Sequence, residues 1–315
     1  MAVTPHAKSL LDLKDRVQVA YAFSPSKERR AKFAERFAFP QCDRLEAILE
    51  DRSVGAVLVL TPPNTHLEIV ERCAAAGKHV LLEKPLEIST ARAEELVKKS
   101  SKVKLGVVLQ HRFRPAAEKL RENLNELGKL VSASAAIPNW RPQSYYDQPG
   151  RGTRWRDGGG VLLTQGIHTL DLFLSLVGEA AEVKSFVTTT PVHKMETEDL
   201  VAAAVSFKSG AIGTVHATTT AYPGYPERIE LIGTRGTALL EGTSLKIDLQ
   251  GKEPFEMKAV SGGGGTGADP MAFPHDWHRS VLADFLDAIE HNREPRVSGA
   301  EALKVHRFID ALLRS

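Results

Sequence analysis

The sequence has little cysteine: Cys42 and Cys73 are the only two in 315 residues. They show no paired spacing, which excludes a disulfide scaffold or a cysteine-rich zinc module. Each falls in a helix-like segment and suits a reducing cytoplasm. No apolar run approaches the roughly 18–20 residues that span a bilayer. The N-terminus lacks the basic-then-apolar order of a signal peptide. No block of one charge stands out either. The 41 basic and 39 acidic residues leave a net charge of +2, so neither a nucleic acid nor a membrane surface is an expected partner. There is no internal repeat. Residues 261–267 (SGGGGTG) read as a flexible loop without chemistry.

What is present is ordinary for a globular protein, with 42% hydrophobic and 25% charged residues. At roughly 100–200 residues per domain, the length predicts two domains, here 1–110 and 111–315. The first alternates strand-like and helix-like segments. Residues 17–23 (VQVAYAF) are β-prone, and helices are expected over 26–37 and 45–50. Residues 56–60 (AVLVL) are uniformly apolar, as in a parallel strand buried on both faces. The next helix opens near Thr65, with Glu68 at capping-box spacing and Gly77 placed to end it. Strands over 79–83 and 104–110 flank a helix near 90–100. This alternation predicts right-handed βαβ units in an open, doubly wound sheet. The second half predicts an α+β domain. A glycine run, 158–160, leads into an apolar helix ending at Gly178. Strand-like runs follow over 182–190, 199–207, 211–221, 228–232, 237–240 and 245–249. Their short turns predict a largely antiparallel sheet. Helices over 276–291 and 299–314 close the chain and are expected to pack back on the first domain.

Three stretches carry candidate chemistry. Thr61-Pro62-Pro63-Asn64-Thr65-His66 follows one buried strand, and Glu83-Lys84-Pro85 ends the next. Ligands of doubly wound sheets bind at such carboxyl ends. Lys84 is there either a solvated strand-end lysine or an amine whose pKa is set by burial and neighbouring charge. The third stretch is Gly158-Gly159-Gly160 with Gly166, His168 and Asp171. The glycines would let backbone approach a ligand closely. On a regular helix Thr164, His168 and Asp171 share a face. His168 is either a core histidine or a general acid/base. His275 and His278 lie three apart, but no third ligand is evident. Helix capping by Asp276 accounts for that pattern, so no metal is expected.

In this order and spacing, the three stretches resemble the glucose–fructose oxidoreductase, inositol dehydrogenase and MocA family, over nearly the whole chain. Residues 285–315 share the likeness. The resemblance implies a Rossmann-like first domain and an NAD(P)-dependent oxidoreductase acting on a sugar, cyclitol or related polyol. Thr61, Pro62, Asn64 and His66 would lie along the dinucleotide, with Glu83, Lys84 and Pro85 beside the nicotinamide. Pro85 would fix the backbone that aims Lys84, through a cis bond. Lys84 and His168 would be catalytic. Thr164, Gln165, His168 and Asp171 would border the substrate, as would the 110–115 segment, where Arg112 either binds a polar substrate group or bridges the domains. Trp140, Arg141, Tyr145, Tyr146, Trp155 and Arg156 flank the glycine run; aromatics with arginines suit sugar stacking and hydroxyl binding, or equally anchor a loop. A homodimer or homotetramer is implied.

Two departures from the family pattern stand out. Sugar- and inositol-oxidising members usually carry aspartate four residues before the histidine, and here that position is Thr164. A hydroxyl cannot supply the negative charge that polarises an imidazole, so either Asp171 or Gln165 takes part instead, or the substrate differs, or catalysis is weak. The family's first strand and G-x-G-x-x-G turn are also missing from the first half. Val3-Thr4-Pro5-His6-Ala7 matches the helix after that turn. Either the strand lies upstream of Met1, or the shortened chain binds cofactor poorly or not at all. NAD-preferring domains place a carboxylate after their second strand. Here Ser24 is followed by Lys27, Arg29 and Arg30, which suit a 2′-phosphate and tilt the expectation from NAD to NADP. A solvated basic helix turn explains the same residues. The alternative of another class is a non-catalytic cofactor or ligand sensor on the same fold.

Overall fold

The computed structural model describes residues 3–259 and 274–314. The 261–267 glycine loop lies outside them. Helix α1 (Val3–Asp12) opens the chain. Strand β1 is only Ala22–Phe23, far shorter than the apolar 17–23 segment. Its ladder has two rungs because its one partner, parallel β2 (Gln41–Cys42), is equally short. Cys42 therefore lies on a strand and not on a helix, while Cys73 is buried in a helix; both are free thiols. Between β1 and β2 runs α2 (Lys27–Ala34), where the Ser26 hydroxyl accepts from the Arg29 amide as N-cap. Helix α3 (Leu45–Glu50) follows.

The main parallel sheet is β3 (Ala56–Val59), β4 (His79–Leu82) and β5 (Leu105–Val107), in that order. It shares no hydrogen-bonded strand with β1–β2, so the doubly wound sheet falls into two parallel pieces. Between β3 and β4 runs α4 (His66–Ala75), and between β4 and β5 runs α5 (Thr90–Lys99). The capping box at Thr65 does not form. The Thr65 hydroxyl donates to the Pro62 carbonyl, and the Glu87 carboxylate takes the Leu67 amide instead. Glu68 pairs with Arg92.

After a 3-10 turn at Gln110–Phe113 and α6 (Pro115–Asn123) comes β6 (Leu130–Pro138), which sequence reading missed. Its serines and alanines carry weak strand propensity. Tertiary pairing overrides it, because β6 sits inside the eight-stranded sheet. Next come the short α7 (Gln143–Tyr146), a π-turn at Leu162–Gly166 and α8 (Ile167–Val177). Strands β7 (Ala180–Thr188), β8 (Leu200–Phe207), β9 (Ile212–Thr218), β10 (Arg228–Gly233), β11 (Gly236–Glu241), β12 (Ser244–Leu249) and β13 (Phe255–Met257) complete the sheet. Its order is β13-β12-β11-β10-β6-β9-β8-β7, antiparallel except at β6–β9.

Helices α9 (Asp276–Glu290) and α10 (Gly299–Arg314) end the fold. Helix α9 packs on α1, β4 and the Gln110–Phe113 turn; α10 packs on α5, β5, α8 and β7. One hydrophobic core runs from Val80 and Leu82 through Phe173 to Val215 and Leu231. Among the described residues, no helix is long and apolar enough to cross a membrane.

Candidate active site

A cleft of about 480 Å³ lies between the carboxyl ends of β3 and β4 and the start of α8. That volume is within the range of small-molecule sites. Thr61, Pro62, Glu83, Lys84 and Pro85 line it from the first half of the chain, and Thr164, Gln165 and His168 face them. Arg29 reaches its rim.

Lys84 sits at the centre. The Lys84–Pro85 peptide is cis, as the family likeness implies. The Lys84 ammonium donates to the Thr164 carbonyl at 2.5 Å. Any residue at position 164 offers that carbonyl, so this contact does not depend on the threonine side chain. Burial lowers the Lys84 pKa. Glu83 opposes the shift, and Arg151 and Arg141 reinforce it. Burial alone would raise the Glu83 carboxyl. The His6 hydrogen bond at 2.7 Å and nearby positive charge outweigh burial and bring it down to about 2. Glu83 also accepts the Lys84 amide at 3.0 Å, which ties the lysine's backbone to α1 through His6.

His168 is the second reactive group. Burial first, then the charge of Lys84, pushes its pKa well below the ordinary value, so it is neutral at pH 7. Its Nδ1 is buried without a hydrogen-bond partner. Its ring stacks on His111 at 5.0 Å. Arg114 lies 2.5 Å from the Nε2 of His111 and also holds Glu227. The family likeness puts the 110–115 segment at the border of the substrate pocket, and Gln110, His111 and Arg114 of it line the cleft. Sequence reading missed Asn139, Asp157, Thr169, Glu227 and Trp277, which also line the cleft. No short motif marks these five, because they come from separate elements.

Several expected site residues lie elsewhere. The π-turn breaks the regular α-helical register assumed for Thr164, His168 and Asp171. Asp171 is buried and held bidentately by Arg112 at 2.6 and 2.7 Å; Glu301 is a third partner of that pair. Neither Asp171 nor Arg112 lines the cleft, and Asp171 is no partner for His168. Gln165 bonds the Thr164 hydroxyl. Trp155 is 62% exposed and outside the lining. His66 is fully buried, its ring between the carbonyls of Thr61 (2.9 Å) and Pro85 (3.0 Å). It rivets the two site loops together and has no surface for a ligand. Asn64 and Ser24 also fall outside the lining, and the Ser24 carbonyl is taken by Arg30. The three glycines face protein and not ligand: a Cβ on Gly158 would lie 2.5 Å from the Ile88 backbone.

The metal reading changes partners as well. His275 bonds Asp12 at 2.8 Å, and Asp276 pairs with Arg279 without capping the helix. His278 instead groups with His6 and Glu83, with ligand atoms within 4.8 Å of one another.

Buried histidines also predict acid sensitivity. Burial lowers His278 and His306 to about 4 each. The Nε2 of His306 accepts the Leu86 amide at 3.0 Å, which requires the neutral ring. Below pH 6.5 the unfolded chain takes up these protons and the folded chain does not. Stability is therefore full above pH 6.5 and falls from there to pH 4, by up to about 3 kcal/mol per histidine. Calorimetric melting should show Tm dropping steeply between pH 6.5 and 4.5. A flat Tm over that window would refute this account.

Residues 1–111 match the model of an oxidoreductase family with an NAD-binding Rossmann fold. Residues 117–239 match a GFO/IDH/MocA C-terminal domain. The chain is 30% identical over 245 residues to a myo-inositol 2-dehydrogenase of Thermotoga maritima, covering 74% of this chain and 70% of that protein. It is 30% identical over 295 residues to a 1,5-anhydro-D-fructose reductase of Ensifer adhaerens, covering 91% and 85%. The solved structure of a levoglucosan dehydrogenase with NADH and levoglucosan superposes with a TM-score of 0.84 at 22% identity, covering 99% of this chain and 93% of that one.

Proposed function

This chain belongs to the GFO/IDH/MocA oxidoreductase family, and from that premise we propose that it interconverts a carbinol and a carbonyl on a sugar, cyclitol or related polyol. The observation that carries the reading is the convergence of Lys84 and neutral His168 on one cleft at the carboxyl ends of β3 and β4. The orphaned Nδ1 of His168 supports a site that is completed by a ligand. A bound nicotinamide dinucleotide would supply the hydride acceptor or donor. Thr61, Pro62, Glu83 and Pro85 would hold it. In the oxidative direction His168 takes the hydroxyl proton, and Lys84 steadies the developing charge on that oxygen. The neutral ring can accept a proton at pH 7, but burial and the Lys84 charge disfavour the imidazolium that an aspartate would stabilise, so His168 is a weak base until a ligand completes the site. Arg29 at the cleft rim supports a preference for NADP over NAD.

Calorimetry with NADPH and NADH on the full chain tests the cofactor, followed by turnover of polyols. Arg29→Ala should weaken NADPH by roughly ten-fold, with little effect on NADH. Equal effects on both would place Arg29 outside any 2′-phosphate site. Phe186 and Ile212 project from one face of the open sheet at 87% and 65% exposure, which supports a homodimer or homotetramer. The free thiols of Cys42 and Cys73 support a reducing, cytoplasmic setting.

A further inference from the structure

Arg141, Arg151 and Arg156 line the cleft with Lys84. Among the described residues, Asp157 is the carboxylate that Arg151 and Arg156 share. It lies 3.9 Å from Arg151 and 3.6 Å from Arg156, both beyond hydrogen-bond range, and its other oxygen is spent on the Gly152 amide at 3.0 Å. The Nε of Arg151 and the Nη1 of Arg156 are buried and make no hydrogen bond. The Tyr145 ring holds two of the guanidiniums in place, Arg151 at 4.9 Å and Arg141 at 5.8 Å. Arg141 itself is 4% exposed and anchored to the Trp140 carbonyl at 2.6 Å.

Partly desolvated guanidiniums with idle donors are costly unless an anion meets them. Their planar forks suit a carboxylate or phosphate, whereas a neutral hydroxyl cannot return the charge. Their position matters as much as their number. They come from residues 141–156, in the second half of the chain, while the cation expected to serve the dinucleotide, Arg29, comes from α2 in the first half. The charges of Arg141 and Arg151 are felt at Lys84. An anionic group seated there would be part of the molecule being oxidised or reduced.

We propose that Arg141, Arg151 and Arg156 form a subsite for an anionic group, a carboxylate or a phosphate, borne by the polyol substrate. The inference rests on the polyol oxidoreductase reading and narrows it to sugar acids or sugar phosphates. Binding such a group also offsets positive charge around Lys84, so an acidic substrate raises the lysine's pKa as it binds.

The test uses the full chain with its preferred nucleotide bound. Three probes are titrated calorimetrically: D-glucitol, D-gluconate and D-glucose 6-phosphate. At least one charged probe should bind roughly ten-fold or more tighter than glucitol. Which of the two does so tells carboxylate from phosphate. Arg151→Gln and Arg156→Gln should each erase that advantage and leave nucleotide affinity unchanged. Equal binding of all three probes by the wild-type chain would overturn the subsite, and this comparison needs no variant to fold. Weakened nucleotide binding in both variants would overturn it too, by assigning the arginines to the cofactor. Tight binding of a charged probe without turnover of any polyol would keep the subsite and remove the oxidoreductase reading.

Discussion

Replacing Lys84 by methionine should lower kcat by about 10²–10⁴-fold, the usual weight of a positioned proton-transfer or charge-stabilising group. Methionine keeps the length and apolar stem, so the fold should hold and nucleotide affinity should change little. What disappears is an amine held by the Thr164 carbonyl and anchored through Glu83 to His6. The pH profile gives a separate readout. Burial and the nearby arginines set the Lys84 pKa below its ordinary 10.5. Activity that needs the ammonium should fall as pH rises through that lowered value, and this alkaline limb should vanish in the variant. Full turnover by Lys84→Met, or an unchanged limb, would remove the lysine from the chemistry.

Gly160→Ala should cost about 3 kcal/mol of stability or more, through overpacking against rigid backbone. A Cβ at position 160 would lie 1.7 Å from the Glu198 carbonyl oxygen. That segment, just before β8, cannot withdraw cheaply. The Glu198 carbonyl accepts the Val161 amide at 2.9 Å, and its side chain accepts the amides of Gly160 (2.9 Å) and Leu162 (3.2 Å). Those bonds hold the π-turn that presents Thr164, so activity should fall together with stability. Urea unfolding measures the loss. A change below about 0.5 kcal/mol would mean that the backbone yields, and that the glycine is not needed for this approach.

The sequence by itself determined the parts that are local. The apolar runs at β3 and β4 marked two parallel strands, but only β4 is largely buried; in β3 Val59 alone is buried, because β3 is the edge of its sheet. The turns after them placed Thr61, Pro62 and Lys84 at the ligand-binding edge by topology alone. The helix end at Gly77 was legible from cap chemistry. Tertiary structure decided everything that depends on partners distant in sequence. Strand β6 exists because β10 and β9 flank it, and its small residues carry no strong strand signal of their own. Asp171 reads as a site carboxylate until Arg112, 59 positions away, claims it. His168 lies beside His111 and Lys84 only because α8, the Gln110–Phe113 turn and the end of β4 meet in the fold. The arginine wall is legible only in part along the chain: Arg141 and Arg156 stand out beside aromatics that flank the glycine run, but each could equally anchor a loop, and Arg151 gives no signal. A motif records which residue is present. Which neighbour shares its charge, and how much water it loses, is set by contacts across the fold.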